Sequence, residues 1–285
     1  MSAVLPPSAG VVGWPVAHSK SPAIHRFWLE KLGIDGDYGR FPVAPDRLGE
    51  AIRAVPALGL RGVNVTVPHK QAVMAHLDRI DDQARRIGAV NTIVVEDGAL
   101  VGYNSDAPGF LEPLRPLLAR PWLFRMARII GTGGAALAVA QALHDEGFTI
   151  VVVGRDLDKA RAFRAGFAPD DSLIATVDSF RAPLDFEWTD RSGVLDLVVN
   201  ATTLGMAGQP ALDLDFTNVP PGAIVYDIVY APLETPLLAE ARARGHATID
   251  GLAMLIGQAA VAFEKFFGAA PPRAHDAELR ELLTR

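Results

Sequence analysis

The tightest constraint on how this chain folds is the run Arg128-Ile-Ile-Gly-Thr-Gly-Gly-Ala-Ala136. Residues 128–130 read as a short strand, and residues 135–146 read as a helix closed by Gly147. Gly131 permits the tight turn between them, and Gly133 lets a diphosphate approach the backbone at the helix N-terminus. Ala136 stands in for a third glycine and is still small enough for close helix packing. Such a motif is weak by itself. Here residues 149–153 supply the next strand, so the strand–turn–helix–strand context is complete. At the end of that strand come Gly154-Arg155-Asp156, with Lys159 soon after. A carboxylate there would hold a ribose 2′-hydroxyl and favour NAD, whereas a cation suits the 2′-phosphate of NADP. Arg155 and Lys159 tip the expectation to NADP, with NAD kept open by Asp156.

The chain has 285 residues, enough for two domains that each bury a core. Composition shifts after Leu118, and Arg120-Pro121 reads as a link. There is no cysteine, which excludes disulfides, thiolate chemistry and cysteine-held zinc. The seven histidines show no tight ligand spacing, so no metal is expected. A formal charge of −6 argues against a nucleic-acid face. Residues 1–10 carry no basic residue and no long apolar core, unlike a signal peptide. The apolar window 252–263 is too short to span a bilayer and contains Gly257 and Gln258. The expectation is a soluble, cytoplasmic protein with no membrane partner.

In the first half, Gly62-Val-Asn-Val-Thr-Val-Pro-His-Lys70 alternates. Val63, Val65 and Val67 fall on one side of a strand, and Asn64 and Thr66 on the other. Pro68 suits the first position of a helix, which puts His69 and Lys70 in a first helical turn. The helix dipole there favours a neutral amine, able to take and give a proton near neutral pH. An ordinary surface lysine is the competing reading. Upstream, Ser21 reads as an N-cap and Pro22 as the first residue of a helix ending at Gly33. Capping does not account for Ser19, and two hydroxyls on one tight loop suit an oxygen-rich ligand. Asn91 and Asn104 flank a hairpin signalled by Asp97-Gly98, where turn asparagines are ordinary. Asp106 reads as a helix cap; a carboxylate near a lysine would hold and tune the amine, but sequence does not show that the two meet. Residues 196–200 form a buried-looking strand ending in the polar turn 201–206, on the side where open α/β sheets bind ligands. Gln258 sits in an apolar helix and needs a partner, most simply a core or helix–helix hydrogen bond.

These segments, with Gly13-Trp-Pro-Val-Ala-His-Ser-Lys-Ser-Pro22, Gly88-Ala-Val-Asn-Thr92 and residues 102–110, 227–238 and 251–263, together resemble the shikimate dehydrogenase family in the family's order. The resemblance implies an α/β enzyme with an N-terminal α/β substrate domain over 1–106 and a Rossmann-like dinucleotide-binding domain over 107–250. It also implies C-terminal helices over 251–285 that return to the first domain. It implies NADPH-dependent reduction of 3-dehydroshikimate to shikimate, a step toward chorismate and the aromatic amino acids. Lys70 and Asp106 fall on the catalytic pair. Ser19, Ser21, Asn64, Thr66, Asn91, Tyr230 and Gln258 fall on substrate-contacting positions. Gly131, Thr132, Gly133, Gly134, Ala135, Arg155, Asp156, Lys159, Thr202, Ile228 and Gly251 fall on cofactor positions. The implied partner is a small molecule, and the implied assembly a monomer or homodimer.

Three departures from the family pattern stand out. Arg26 replaces a usual asparagine at the helix surface. Ser105 replaces threonine beside the acid and keeps a hydroxyl. Gly154-Arg155-Asp156 replaces Asn-Arg-Thr or Ser, and the resemblance implies that members with an acid nearby can accept NAD and oxidise quinate. The alternatives are therefore an NAD-using quinate/shikimate dehydrogenase, a paralogue acting on an amino analogue, or a non-catalytic ligand sensor. Retention of both Lys70 and Asp106 argues against a sensor, which needs no proton donor.

Overall fold

The computed structural model describes residues 6–167, 172–182 and 192–285. In chain order the strands are β1 Ser8–Gly13, β2 Asp37–Pro42, β3 Gly62–Val65, β4 Arg79–Ile80, β5 Thr92–Glu96 and β6 Ala99–Tyr103. They continue with β7 Phe124–Ile130, β8 Thr149–Val153, β9 Ser172–Ala175, β10 Val194–Asn200, β11 Ile224–Asp227 and β12 Ala247–Ile249. The helices are α1 Ser21–Leu32, α2 Leu48–Ala54, α3 Asp82–Ile87, α4 Asp106–Leu111 and α5 Arg115–Leu118. After them come α6 Gly134–Asp145, α7 Leu157–Phe167, α8 Pro236–Ala243, α9 Gly251–Phe267 and α10 Asp276–Thr284. The chain divides into two compact units, Met1–Gly109 with Ile256–Arg285, and Phe110–Leu255.

The first unit is built on a mixed sheet of order β2-β1-β3-β5-β6-β4. β1 runs parallel to both β2 and β3, whereas β3, β5 and β6 are antiparallel neighbours. The β5–β6 hairpin turns on Asp97 and Gly98, both at positive φ (51° and 82°), as an Asp-Gly turn requires. Period-two alternation splits the side chains between two cores. Val12, Val63, Val65, Ile93 and Leu100 join Leu48, Ile52 and Val55 on one face. Ala9, Val11, Tyr38 and Val94 pack on the other, beneath Ala262, Phe266 and Phe267 of α9. The approach there is close: a Cβ on Gly62 would sit 2.7 Å from the Phe266 ring and 2.1 Å from the Ile93 carbonyl. The C-terminal helices thus complete the first unit's core, as the family resemblance implies.

Residues 66–70 depart from the sequence reading. Val67 does not share the apolar face of Val63 and Val65; it is 61% exposed. No helix starts at Pro68. His69 N–H bonds back to the Thr66 carbonyl, and the Lys70 carbonyl accepts the Val90 N–H at 2.8 Å. The Lys70 carbonyl thus faces a partner from another segment rather than a continuing helix, and a short 3₁₀ turn begins only at Ala72. The helix-dipole argument for Lys70 falls away with it. At α1, Ser21 is the first helical residue rather than the cap, and Lys20 occupies the cap position.

The second unit holds an all-parallel sheet of order β12-β11-β10-β7-β8-β9. The order reverses between β7 and β10, the doubly wound arrangement that opens a ligand crevice at the carboxyl ends of those two strands. Phe110 stacks on Tyr226 in its interior (centroids 4.5 Å, 12°). No helix among the described residues is long and apolar enough to cross a membrane.

Candidate active site

In the first unit, the Lys70 amine donates to Oδ2 of Asp106 at 2.6 Å. The acid is 1% exposed and the lysine side chain 13%, so the pair is largely withdrawn from water. Losing either partner would strand a buried charge. Asp106 is not the cap of α4, as its sequence context suggests. Asn104 does that work, accepting the N–H groups of Asp106 and Ala107 at 3.0 and 3.2 Å. The carboxylate is left to hold the amine.

Beside this pair lies a connected polar group. Asn91 Nδ2 donates to Ser105 Oγ at 3.0 Å and to Gln258 Oε1 at 3.2 Å. Its Oδ1 accepts the Ser105 N–H at 2.7 Å and the Thr92 hydroxyl at 3.0 Å. Asn64 Nδ2 donates to the Asn91 carbonyl at 3.1 Å and to Thr92 Oγ1 at 3.0 Å. Gln258 can come this near because Gly109 has no side chain: a Cβ there would lie 2.4 Å from the Gln258 backbone nitrogen. The serine-for-threonine change at Ser105 keeps the hydroxyl that Asn91 uses.

Ser19 and Ser21 form a separate small cluster. Ser19 Oγ donates to Ser21 Oγ at 3.3 Å and accepts the Ser21 N–H at 3.3 Å. The Arg40 guanidinium pins this loop through the Ser19 carbonyl, at 2.6 and 3.1 Å. Thr66 lies just beyond β3 with its N–H on the Val12 carbonyl at 2.9 Å. Arg26 makes a surface ion pair with Asp37 at 2.7 Å, away from these groups in role.

In the second unit, Gly131 has φ of +125°, and a Cβ there would meet the Ala201 carbonyl at 2.9 Å. Only glycine fits. A Cβ on Gly133 would meet nothing within 4 Å, so the space before the twelve-residue helix α6 is open. Gly133 is thus the open point of the turn Thr132-Gly133-Gly134-Ala135 at a helix N-terminus, an arrangement suited to a diphosphate. On the neighbouring strand, Asn200 Oδ1 accepts the N–H and hydroxyl of Thr202 at 3.0 and 2.7 Å, fixing the turn after β10. Asn200 Nδ2 donates to Asp227 Oδ1 at 2.9 Å. Asp227 also accepts from Val229 N–H and the Thr235 hydroxyl, at 3.0 and 2.7 Å. Burial raises its pKa above the usual carboxylate value despite these bonds. Gly251 abuts Ile228: a Cβ on it would lie 2.3 Å from the Ile228 carbonyl. Tyr230 follows on the same segment as Ile228, in this unit.

Arg155, just after β8, and Lys159, in the first turn of α7, are both exposed. Asp156 has another task there. Its Oδ1 accepts the N–H groups of Asp158 and Lys159 at 3.0 and 3.1 Å, capping α7. A cap accounts for the acid at this position without any ribose contact.

Sequence reasoning missed Tyr38, Arg40, Thr92 and the capping role of Asn104. Tyr38 and Arg40 stand two apart on β2, and that same-face spacing is the only sequence signal they carried.

Residues 11–93 match the family described as Shikimate dehydrogenase substrate binding domain, and residues 251–278 match Shikimate 5'-dehydrogenase C-terminal domain. The shikimate dehydrogenase (NADP(+)) of Rhodospirillum rubrum is 51% identical over 271 residues, covering 92% of each chain. The crystal structure of shikimate 5-dehydrogenase from Thermus thermophilus in complex with NADP(H) and shikimate superposes with a TM-score of 0.82 at 36% identity, covering 97% of this chain and 99% of that one. Quinate dehydrogenase from Corynebacterium glutamicum in complex with NAD gives 0.83 at 31% identity, covering 97% and 99%.

Proposed function

This chain belongs to the shikimate dehydrogenase family, and from that premise we propose that it catalyses the reversible NADP(H)-dependent interconversion of 3-dehydroshikimate and shikimate. It is an oxidoreductase of aromatic amino acid biosynthesis. The observation that carries the mechanism is the 2.6 Å contact between the Lys70 amine and Asp106.

The turn 131–135 would hold NADP(H), which would supply or accept the hydride. The chain's own residues manage the proton. In the reducing direction Lys70 gives a proton to the ketone oxygen borne by the ring as its carbon is reduced and that oxygen becomes a hydroxyl, and in the oxidising direction removes it. Asp106 orients the amine and accepts a neighbouring ring hydroxyl. Ser19, Ser21 and Tyr230 take the substrate carboxylate, and Asn64, Thr66, Asn91 and Gln258 its hydroxyls. Sites built to bond hydroxyls discriminate strongly against analogues that lack them. Gly131, Thr132, Gly133, Gly134, Ala135, Thr202, Ile228 and Gly251 hold the cofactor, and Arg155 and Lys159 its 2′-phosphate. Met1–Gly109 with Ile256–Arg285 serves as the substrate unit and Phe110–Leu255 as the cofactor unit. The enzyme acts in the cytoplasm, as a monomer or homodimer, without nucleic acid.

The reading of quinate oxidation with NAD rests on Asp156 and on the similarity to quinate dehydrogenase. The capping bonds of Asp156 weigh against it. Initial rates with shikimate and with quinate, each with NADP+ and with NAD+, test both. Shikimate with NADP+ is the expected fastest pair. A fastest pair of quinate with NAD+ transfers the assignment, and tight shikimate binding without turnover removes the enzymatic one.

A further inference from the structure

Tyr38 is fully buried, on the edge strand β2. It is paired with Ala9 on β1, and Ala9 with Gly62 on β3. On the intervening strand that row carries only the Ala9 methyl group, so a long side chain on β2 can pass over it toward β3. The phenol uses this: its hydroxyl donates to Asn64 Oδ1 at 2.6 Å. The orientation of the Asn64 amide then follows from its partners. The Asn91 backbone carbonyl only accepts, so Nδ2 must face it, and both N–H groups are spent on that carbonyl and Thr92 Oγ1. Oδ1 must face Tyr38. What Asn64 has left for a ligand is one acceptor lone pair. The ring of His25 lies flat against Tyr38, 4.0 Å away and 4° from parallel, and holds it in place. Burial keeps the phenol far above its usual pKa, so the hydroxyl stays a donor.

We infer that Tyr38 is a positioning residue for substrate recognition, whose hydroxyl locks the Asn64 carboxamide so that Asn64 accepts a hydrogen bond from a substrate hydroxyl. This rests on the reading of Asn64 as a substrate contact. Tyr38 itself need not touch the substrate.

A double-mutant cycle on the full chain tests it, with Tyr38→Phe, Asn64→Ala and both together, read as kcat and KM for shikimate with NADP+. Tyr38→Phe keeps the ring and its stack. Its KM is expected to rise roughly three- to tenfold with kcat within about twofold of wild type, the pattern of lost uniform binding. On the Asn64→Ala background the same substitution should move KM by less than about twofold. An unchanged KM in Tyr38→Phe overturns the inference. So does an equal rise on both backgrounds, which would mark a structural role alone. An unchanged KM in Asn64→Ala removes Asn64 from the substrate and the inference with it. The proposed reaction is judged separately, by wild-type turnover. Were wild type to bind shikimate without turnover, the same cycle read on calorimetric Kd would still decide the role of Tyr38.

Discussion

Asn104 stands two residues ahead of Asp106 and accepts that residue's own N–H at 3.0 Å. Its amide nitrogen donates in turn to the Ala89 carbonyl at 2.9 Å, so the cap is tied to a second segment. Capping by Asn104 frees the Asp106 carboxylate and fixes the backbone that aims it at Lys70. Asn104→Ala is expected to cost about 1 kcal/mol of stability, the usual worth of a cap. It should also lower kcat more than it raises KM for shikimate, because the misplaced group is the acid that orients the amine. Denaturant unfolding and steady-state kinetics on one preparation check both. A stability loss with unchanged kcat would confine Asn104 to capping.

Lys70→Ala should lower kcat by ~10²–10⁴-fold, the range expected for loss of positioned proton transfer. KM for shikimate should change little, since the proton is exchanged in the transition state. The variant leaves Asp106 buried beside no cation, so folding should be verified by circular dichroism first. Near wild-type kcat would take Lys70 out of the chemistry.

The second unit was the most legible part of the chain. Local chemistry dictates its key turn: a strand, a glycine that nothing else can replace at Gly131, a helix and another strand. The first unit's pair was harder. Strands β4, β5 and β6 and helix α3 all lie between Lys70 and Asp106 along the chain, and in the sequence only family resemblance links the two. Local rules taken alone err here in identifiable ways. Pro68 looked like a helix start, yet the Lys70 carbonyl is claimed by Val90 N–H, a tertiary partner that no window of sequence displays. Asp106 looked like a cap because an acid before a helix usually is one, and Asn104 had taken that place. Tyr38 was invisible because a buried edge-strand aromatic reads as core whether or not its hydroxyl reaches an asparagine two strands away.

Cofactor choice should turn on Arg155 rather than Asp156. Arg155 is exposed and free to meet a 2′-phosphate, while Asp156 is held by two backbone N–H groups of α7. Arg155→Ala should raise KM for NADP+ roughly 10-fold or more, the worth of a charged hydrogen bond, and leave KM for NAD+ nearly unchanged. Asp156→Ala should mainly loosen α7, at about 1 kcal/mol. A large gain of NADP+ over NAD+ use in Asp156→Ala would show instead that the acid contacts the ribose.

His25 should control part of the acid limb of stability. It is fully buried among Tyr38, Trp28, Phe263, Phe266 and Phe267, and among the described residues neither ring nitrogen has a hydrogen-bond partner. Burial lowers its pKa from 6.5 to about 3, because a charged imidazolium would lose its water without gaining a partner. From about one pH unit above 6.5 the ring is neutral folded or unfolded, and titration contributes almost nothing. Below that the unfolded chain binds a proton that the folded one refuses, so stability falls with pH until the folded group titrates near 3. The slope is about 1.4 kcal/mol per pH unit for one proton. His25→Phe removes both the titration and two unsatisfied nitrogens while keeping a ring against Tyr38. It should be neutral to stabilising at about pH 7, and should gain on wild type by about that slope as pH falls from about 6 to about 4. Urea unfolding of both proteins across this interval reads the difference directly; a gap that stays constant with pH would mean that His25 is already protonated in the folded protein or that its ring meets water.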